Sequence, residues 1–172
     1  RVTRLKGHEH LLTLIGHLRQ LGMDVHGLIV GGVDPRRSQY AQSLRERVAL
    51  ENLNDRVHFL GHRKDMREIM SMCDLVLAVS SQPESFGRTV LEALSLGRPV
   101  VGFAHGGVEE ILRRLYPQGL CAIGDDDALL TSVRGLLEEP VKVAPVHDFT
   151  LQHMVDRTLD LYHELAASSR TT

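Results

Sequence analysis

The chain is 172 residues long, 42% apolar and 24% charged, with a formal net charge of −2. That is one domain's worth of chain, with enough apolar content to bury a core. The small net charge argues against a bulk nucleic-acid binder, and apolar runs no longer than Leu75–Val79 exclude a membrane-spanning helix.

Taken in chain order, the pattern alternates between two periods. His8–Leu21 carries Leu11, Leu12, Leu14, Ile15, Leu18 and Leu21 at helical spacing, and Gly22 stops it. A short apolar strand follows at about 25–30, ended by Gly31-Gly32. DPRRSQYAQSLRERVALENL reads as a charged amphipathic helix, with Asp34 as cap and Pro35 in the first turn. RVHFLG is a strand of about 57–60, KDMREIMSMC a short helix, and DLVLAVS a strand without polar alternation, expected to be buried on both faces. A helix at about 86–96, a strand at 98–103, the helix GGVEEILRRL, the strand GLCAI and the helix DDDALLTSVRGLLEE come next. Pro140–Pro145 reads as a linker, DFTLQHMVDRTLDLYHELAAS as a last helix, and the tail SSRTT as frayed. No hairpin signal joins neighbouring strands. Alternation of this kind predicts βαβ units and an α/β, Rossmann-like open parallel sheet with helices on both faces. The opening RVTRLKGHEH has no signal-peptide pattern, and its abruptness leaves room for missing upstream residues.

Cys73 and Cys121 stand in apolar surroundings and read as reduced, which points to a cytoplasmic setting. The histidines show no zinc spacing: His8 and His10 flank Glu9, and His58 and His62 straddle a strand end. Asp125-Asp126-Asp127 stands directly before an amphipathic helix, where capping and the helix dipole account for it. No essential metal is expected.

In open parallel sheets, ligands bind beyond the carboxyl ends of the strands, where helix N-termini also point. Three loops fall there: VGGVDP with Gly31 and Gly32, SSQPESFG, and AHGGVEE. Their glycines either admit a ligand to the backbone or simply make tight strand-to-helix turns. Neither G-x-G-x-x-G nor the Walker pattern is present. Glu84 and Glu92 are eight residues apart, roughly 12 Å along a helix. Two acceptor-only carboxylates at that separation suit two hydroxyl-bearing ends of a ligand. Gly87 and the N–H groups of Arg88 and Thr89 lie between them and suit a diphosphate. Hydroxyls, diphosphate, hydroxyls is the outline of a nucleotide sugar. Equally, Glu92 is a solvated residue and Glu84 one that merely favours the helix dipole.

PESFGRTVLEALSLGRPVVGFAHGGVEEIL resembles the signature of the family-four retaining glycosyltransferases of the GT-B fold, with its Glu-x7-Glu spacing. RVTRLKGHEHLL resembles their G-R-x-x-x-x-K-G-x-x-x-L-L segment, with Arg1 and Lys6 at its spacing; VHFLGHRKDMREIMSMCDLVLAVS resembles the stretch that reaches the nucleobase. IGDDDALLTSVRGLLEEP and FTLQHMVDRTLDLYHEL resemble the closing segments. The resemblance implies that residues 1–146 form a nucleotide-sugar donor-binding domain and 147–168 a C-terminal helix packing on it or leaning away. A separate N-terminal domain, absent here, would bind the acceptor. It further implies that Glu84 binds the transferred sugar and Glu92 the ribose. Arg1 and Lys6 would neutralise the diphosphate, so that Arg1, Lys6 and Glu84 are the catalytic set. Ser85, Phe86, Gly87, Arg88 and Thr89 would line sugar and phosphate, and the backbone at His62 and Arg63 would meet the base. No cofactor is implied beyond the donor substrate, and the chain alone would be inactive. In the family a central strand ends just before Arg1; without it, either upstream residues are missing or the sheet is opened there. Other readings are another GT-B enzyme, such as a nucleotide-sugar epimerase or a sugar phosphorylase, or a non-catalytic nucleotide-sugar binding module.

Overall fold

Helix α1, His8–Gln20, has two apolar flanks rather than one stripe. Leu12 and Ile15 pack into one core cluster, Leu14 and Leu18 into another. Its position follows from that: it lies across two separate sheets and joins them. Each fully buried Leu or Ile contributes about 1.5–3 kcal/mol, so four such side chains hold the junction firmly.

The computed structural model describes residues 1–146 and 149–168. After α1 come β1 (Gly27–Val30), α2 (Ser38–Leu50), β2 (Val57–Gly61), α3 (Met66–Met72) and β3 (Val76–Ala78). The order continues with α4 (Arg88–Ser95), β4 (Val100–Phe103), α5 (Gly106–Leu115), β5 (Leu120–Cys121), α6 (Asp126–Glu138) and α7 (Leu151–Ser168). Two helix starts follow the sequence. The Asp34 carboxylate accepts from the Arg36 N–H at 2.9 Å, in a short 3₁₀ turn leading into α2. Asp125 accepts from the Ala128 N–H at 2.8 Å and caps α6, as expected of the acidic run.

All pairing is parallel, and the α/β class holds. The sheet is not continuous, however. β1 pairs only with β2, and β3, β4 and β5 form a second sheet in that order. Helices cover both faces of the second sheet. Val100 packs with α4 and α5 residues on one side, while Val101, Phe103 and Cys121 pack with α1 and α6 residues on the other. Between β1 and β3 runs a cavity of about 790 Å³, lined by both strands, by the inner face of α1 and by Met66, Ile69 and Met70 of α3. The break lies beside Arg1, where the resemblance puts a strand.

Two expectations change. The strand around Leu75–Val79 is not buried on both faces: Val76–Ala78 are all half-buried, because β3 faces the cavity and has a partner on one side only. The fully buried strand is β4, which has β3 and β5 as neighbours. Pro140–Pro145 is more than a linker, since Val143 is 8% exposed and joins the cluster under α4 and α5. Every residue of α7 is exposed along its length. The expected start of that unit, His147, and the tail residues 169–172 lie outside the described residues.

Candidate functional site

The carboxyl ends of β1 and β2 lie side by side, as do those of β3 and β4, because both ladders are parallel, and the segment before α1 bonds to the loops after β1 and β3 alike, bringing these ends to one edge. The turn before α1 is docked onto this edge where β3 leaves it. The Ser81 N–H donates to the Leu5 carbonyl at 2.9 Å. Gly7, in the left-handed region at φ 66°, passes so close to the Val79 carbonyl that a Cβ there would lie 1.9 Å from its oxygen. Only glycine permits this approach, and the approach delivers Lys6 to the far side of the loop.

There the Lys6 ammonium donates to Glu84 Oε1 at 2.6 Å, and the Ser80 hydroxyl donates to the same oxygen at 2.5 Å. Burial pushes the Glu84 carboxyl up. The hydrogen bonds from Lys6 and Ser80 and the charges of Lys6 and His105 outweigh it, so the group lies below the ordinary carboxylate range and is ionised at neutral pH. Glu84 therefore presents an acceptor held by two donors, with Oε2 left over for a further hydroxyl. Two residues beyond Phe86, α4 begins. Its N-cap is Gly87, left-handed at φ 78°, and no side chain caps the helix. The first-turn N–H groups around Arg88 and Thr89 thus stand at the positive end of the helix dipole without a side-chain acceptor.

The remaining expected residues divide around this centre. Ser85, Phe86, Arg88 and Thr89 are exposed, and Thr89, with Lys6 and His8, lines the cavity between the sheets. Glu92 is exposed on α4 and only loosely paired with Arg88, Nε to Oε1 at 3.9 Å. It is not drawn to Glu84. Arg1 lies against the end of β1: a Cβ on Gly31 would meet the Arg1 backbone nitrogen at 2.8 Å, and the Val2 N–H donates to the Gly32 carbonyl at 3.0 Å. Gly31 thus serves a contact within the protein. His62 follows β2 and sits against Gly32, whose Cβ would meet the His62 Cβ at 3.6 Å. Arg63 pairs with Asp65, Nε to Oδ1 at 2.8 Å.

Two participants were not singled out by sequence reasoning. Ser80 and His105 are the buried polar residues among those described, 4% and 8% exposed. Ser80 had a usable signal, since it follows β3 directly on the ligand edge. His105 had a weaker one, its place before Gly106-Gly107 in a loop already suspected. Away from this centre, His10 Nδ1 lies 2.6 Å from Asp126 Oδ1 and fastens α1 to the start of α6. Among the described residues, no three His, Cys, Asp or Glu side chains come together in a way that could hold a metal ion. Both cysteines are free, and no described helix is long and apolar enough to cross a membrane.

A parallel α/β domain with a fixed carboxylate and an open helix N-terminus on its ligand edge is of the Rossmann-like, GT-B glycosyltransferase class. The chain belongs to the glycosyl transferases group 1 family, whose family model matches residues 1–149. It is 35% identical over 88 residues to the N-acetyl-alpha-D-glucosaminyl L-malate synthase of Bacillus anthracis, covering 51% of this chain and 23% of that protein. It is 31% identical over 185 residues to the D-inositol 3-phosphate glycosyltransferase of Salinispora tropica, covering 99% of this chain and 38% of the other. Among solved structures, Anabaena HepE in complex with UDP-glucose superimposes with a TM-score of 0.74 at 30% identity, over 81% of this chain and 37% of HepE. The chain thus spans less than two fifths of the length of these proteins.

Proposed function

We propose that this chain is the donor-binding half of a retaining glycosyltransferase that takes a hexose from a nucleoside-diphosphate sugar. The observation that carries the reading is the Lys6–Glu84–Ser80 cluster, set against an uncapped helix N-terminus on the carboxyl edge of the strands. Glu84 accepts from hydroxyls of the sugar. The N–H groups at the start of α4 receive the diphosphate, with Lys6 turning from Glu84 on its flexible stem and Arg1 adding a second cation. As the bond from the anomeric carbon to the phosphate oxygen breaks, charge grows on the departing diphosphate, and fixed donors and cations there lower the barrier. Glu92 takes the ribose hydroxyls, and the backbone at His62 and Arg63 meets the base.

In this reading the donor needs no metal ion or cofactor, since Arg1, Lys6 and the helix N-terminus supply the positive charge. The acceptor binds a second domain, so the 172-residue chain binds donor weakly and transfers no sugar. The free cysteines fit a reducing, cytoplasmic compartment. The relative that was solved with UDP-glucose supports a nucleotide-sugar donor of this kind.

Calorimetry tests the reading. UDP, GDP and ADP are titrated into the chain, each with and without its sugar, and the titrations are repeated with Glu84→Ala. The variant is expected to lose affinity for the nucleotide sugar and to keep that for the bare nucleotide. Equal loss for both ligands refutes the role of Glu84, and absence of binding by the parent chain refutes the donor reading.

A further inference from the structure

His105 is given no contact with the donor above, yet its surroundings are unusual. It is buried, and its ring Nε2 lies 2.9 Å from the Ser80 carbonyl. A carbonyl oxygen only accepts, so Nε2 carries the proton and donates. Ser80 is the other buried polar residue among those described, so the two are joined to each other.

The start of α5, directly after His105, holds Glu84 as well. The Gly107 N–H donates to the Glu84 carbonyl at 2.8 Å, and a Cβ on Gly106 would lie 2.6 Å from that carbonyl oxygen. The five residues from Ser80 to Glu84 are therefore clamped at both ends, by His105 at the end of the loop after β4 and by Gly106 and Gly107 at the start of α5. Residues 81–83 between the clamps are exposed, with the Ser81 N–H bonded to the Leu5 carbonyl on the opposite side. What the clamp fixes is the direction of the Ser80 hydroxyl, and through it Glu84 Oε1.

We propose that His105 is a positioning residue: by donating to the Ser80 carbonyl it holds the Ser80–Glu84 segment so that the Glu84 carboxylate points to the sugar end of the donor. The functional half of this rests on the donor reading above; the structural half stands on its own. With an apolar side chain at 105, the Ser80 carbonyl is left buried without its donor. Ser80 then turns towards water and its hydroxyl leaves Glu84, while Lys6 remains paired.

The test compares His105→Leu, His105→Gln and His105→Asn in the full chain. The Gln amide nitrogen reaches the place of Nε2; the shorter Asn does not. Two readouts are taken. One is the affinity for UDP-glucose relative to UDP, for GDP-mannose relative to GDP and for ADP-glucose relative to ADP. The other is the titration of the Glu84 carboxyl, followed by carbon NMR without ligand. Leu and Asn should lower the sugar-dependent gain in affinity by about fivefold, the worth of one hydrogen bond, while Gln keeps it within about twofold. Binding of the bare nucleotide should stay unchanged throughout. In the NMR experiment, Glu84 should titrate higher in Leu and Asn than in Gln. If Leu and Asn keep the parent's sugar-dependent gain, or if Gln behaves as they do, the proposal is overturned. Should His105→Leu not fold, Gln against Asn decides alone. Should the parent chain show no sugar-dependent gain, the donor reading fails, and the Glu84 titration still decides the role of His105.

Discussion

Gly107→Ala is a sharp test of how the ligand edge is built. A Cβ at Gly107 would lie 2.3 Å from both the carbonyl carbon and the oxygen of Phe86. Carbon contacts are comfortable at about 3.5–4.0 Å, so one main chain must yield by more than about 1 Å. These are backbone atoms and cannot rotate away as the end of a side chain can. Overpacking of this kind costs about 1–3 kcal/mol. The Gly107 N–H to Glu84 carbonyl bond, 2.8 Å long, is stretched by the same movement and adds about 0.5–1.5 kcal/mol. At about 2–4 °C per kcal/mol for a chain of this length, the melting temperature should fall by roughly 3–18 °C. Gly135→Ala is the internal control. Gly135 lies in α6 with nothing within 4 Å of its Cβ position, so alanine there should raise stability by about 0.5–1 kcal/mol. Thermal melting by circular dichroism measures both. Binding of bare nucleoside diphosphate should also weaken in Gly107→Ala, because Phe86 leads directly into the start of α4. A Gly107→Ala protein that melts with the parent and binds as the parent would refute the close packing of the start of α5 against the loop at Phe86.

Three further outcomes are expected. Glu92→Ala should weaken the nucleotide sugar and the bare nucleotide alike, by roughly tenfold or more, since both carry the ribose, and leave pyrophosphate unaffected; equal loss for pyrophosphate would contradict the ribose role. Donor binding by the parent chain should survive excess chelator, and nucleotide affinity that chelator abolishes and magnesium restores would overturn the metal-independent reading. The pH dependence follows from the lowered Glu84 carboxyl: its contribution to stability is full above about 4.3, the ordinary value of an unfolded glutamate, and is lost as pH falls through the lower folded value. The stability advantage of the parent over Glu84→Gln, measured by urea unfolding, should therefore shrink below about pH 4; an advantage independent of pH would show that the ionised carboxylate is not what Lys6 and Ser80 hold.

Much of this protein could be read in one dimension. The order and type of the helices and strands followed from short periods, because the spacing of apolar residues reports which face of each element is dry. The caps at Asp34 and Asp125 were legible too, since each is a side chain bonding to a backbone N–H two or three residues on. The stretch around Glu84 and Glu92 pointed to the ligand edge, and so did the Gly-rich loops. Tertiary structure alone decided the rest. Lys6 meets Glu84 across 78 residues, His105 meets Ser80 across 25, and His10 meets Asp126 across 116. Such pairs leave no mark on local periodicity, because strand order and helix docking create them. The split of the sheet has the same origin. The apolar run at Leu75–Val79 shows that a strand can be buried on both faces, but burial also depends on its neighbours. β3 has only β4 beside it, and so the strand expected to be buried on both faces stands half-buried at the rim of a cavity.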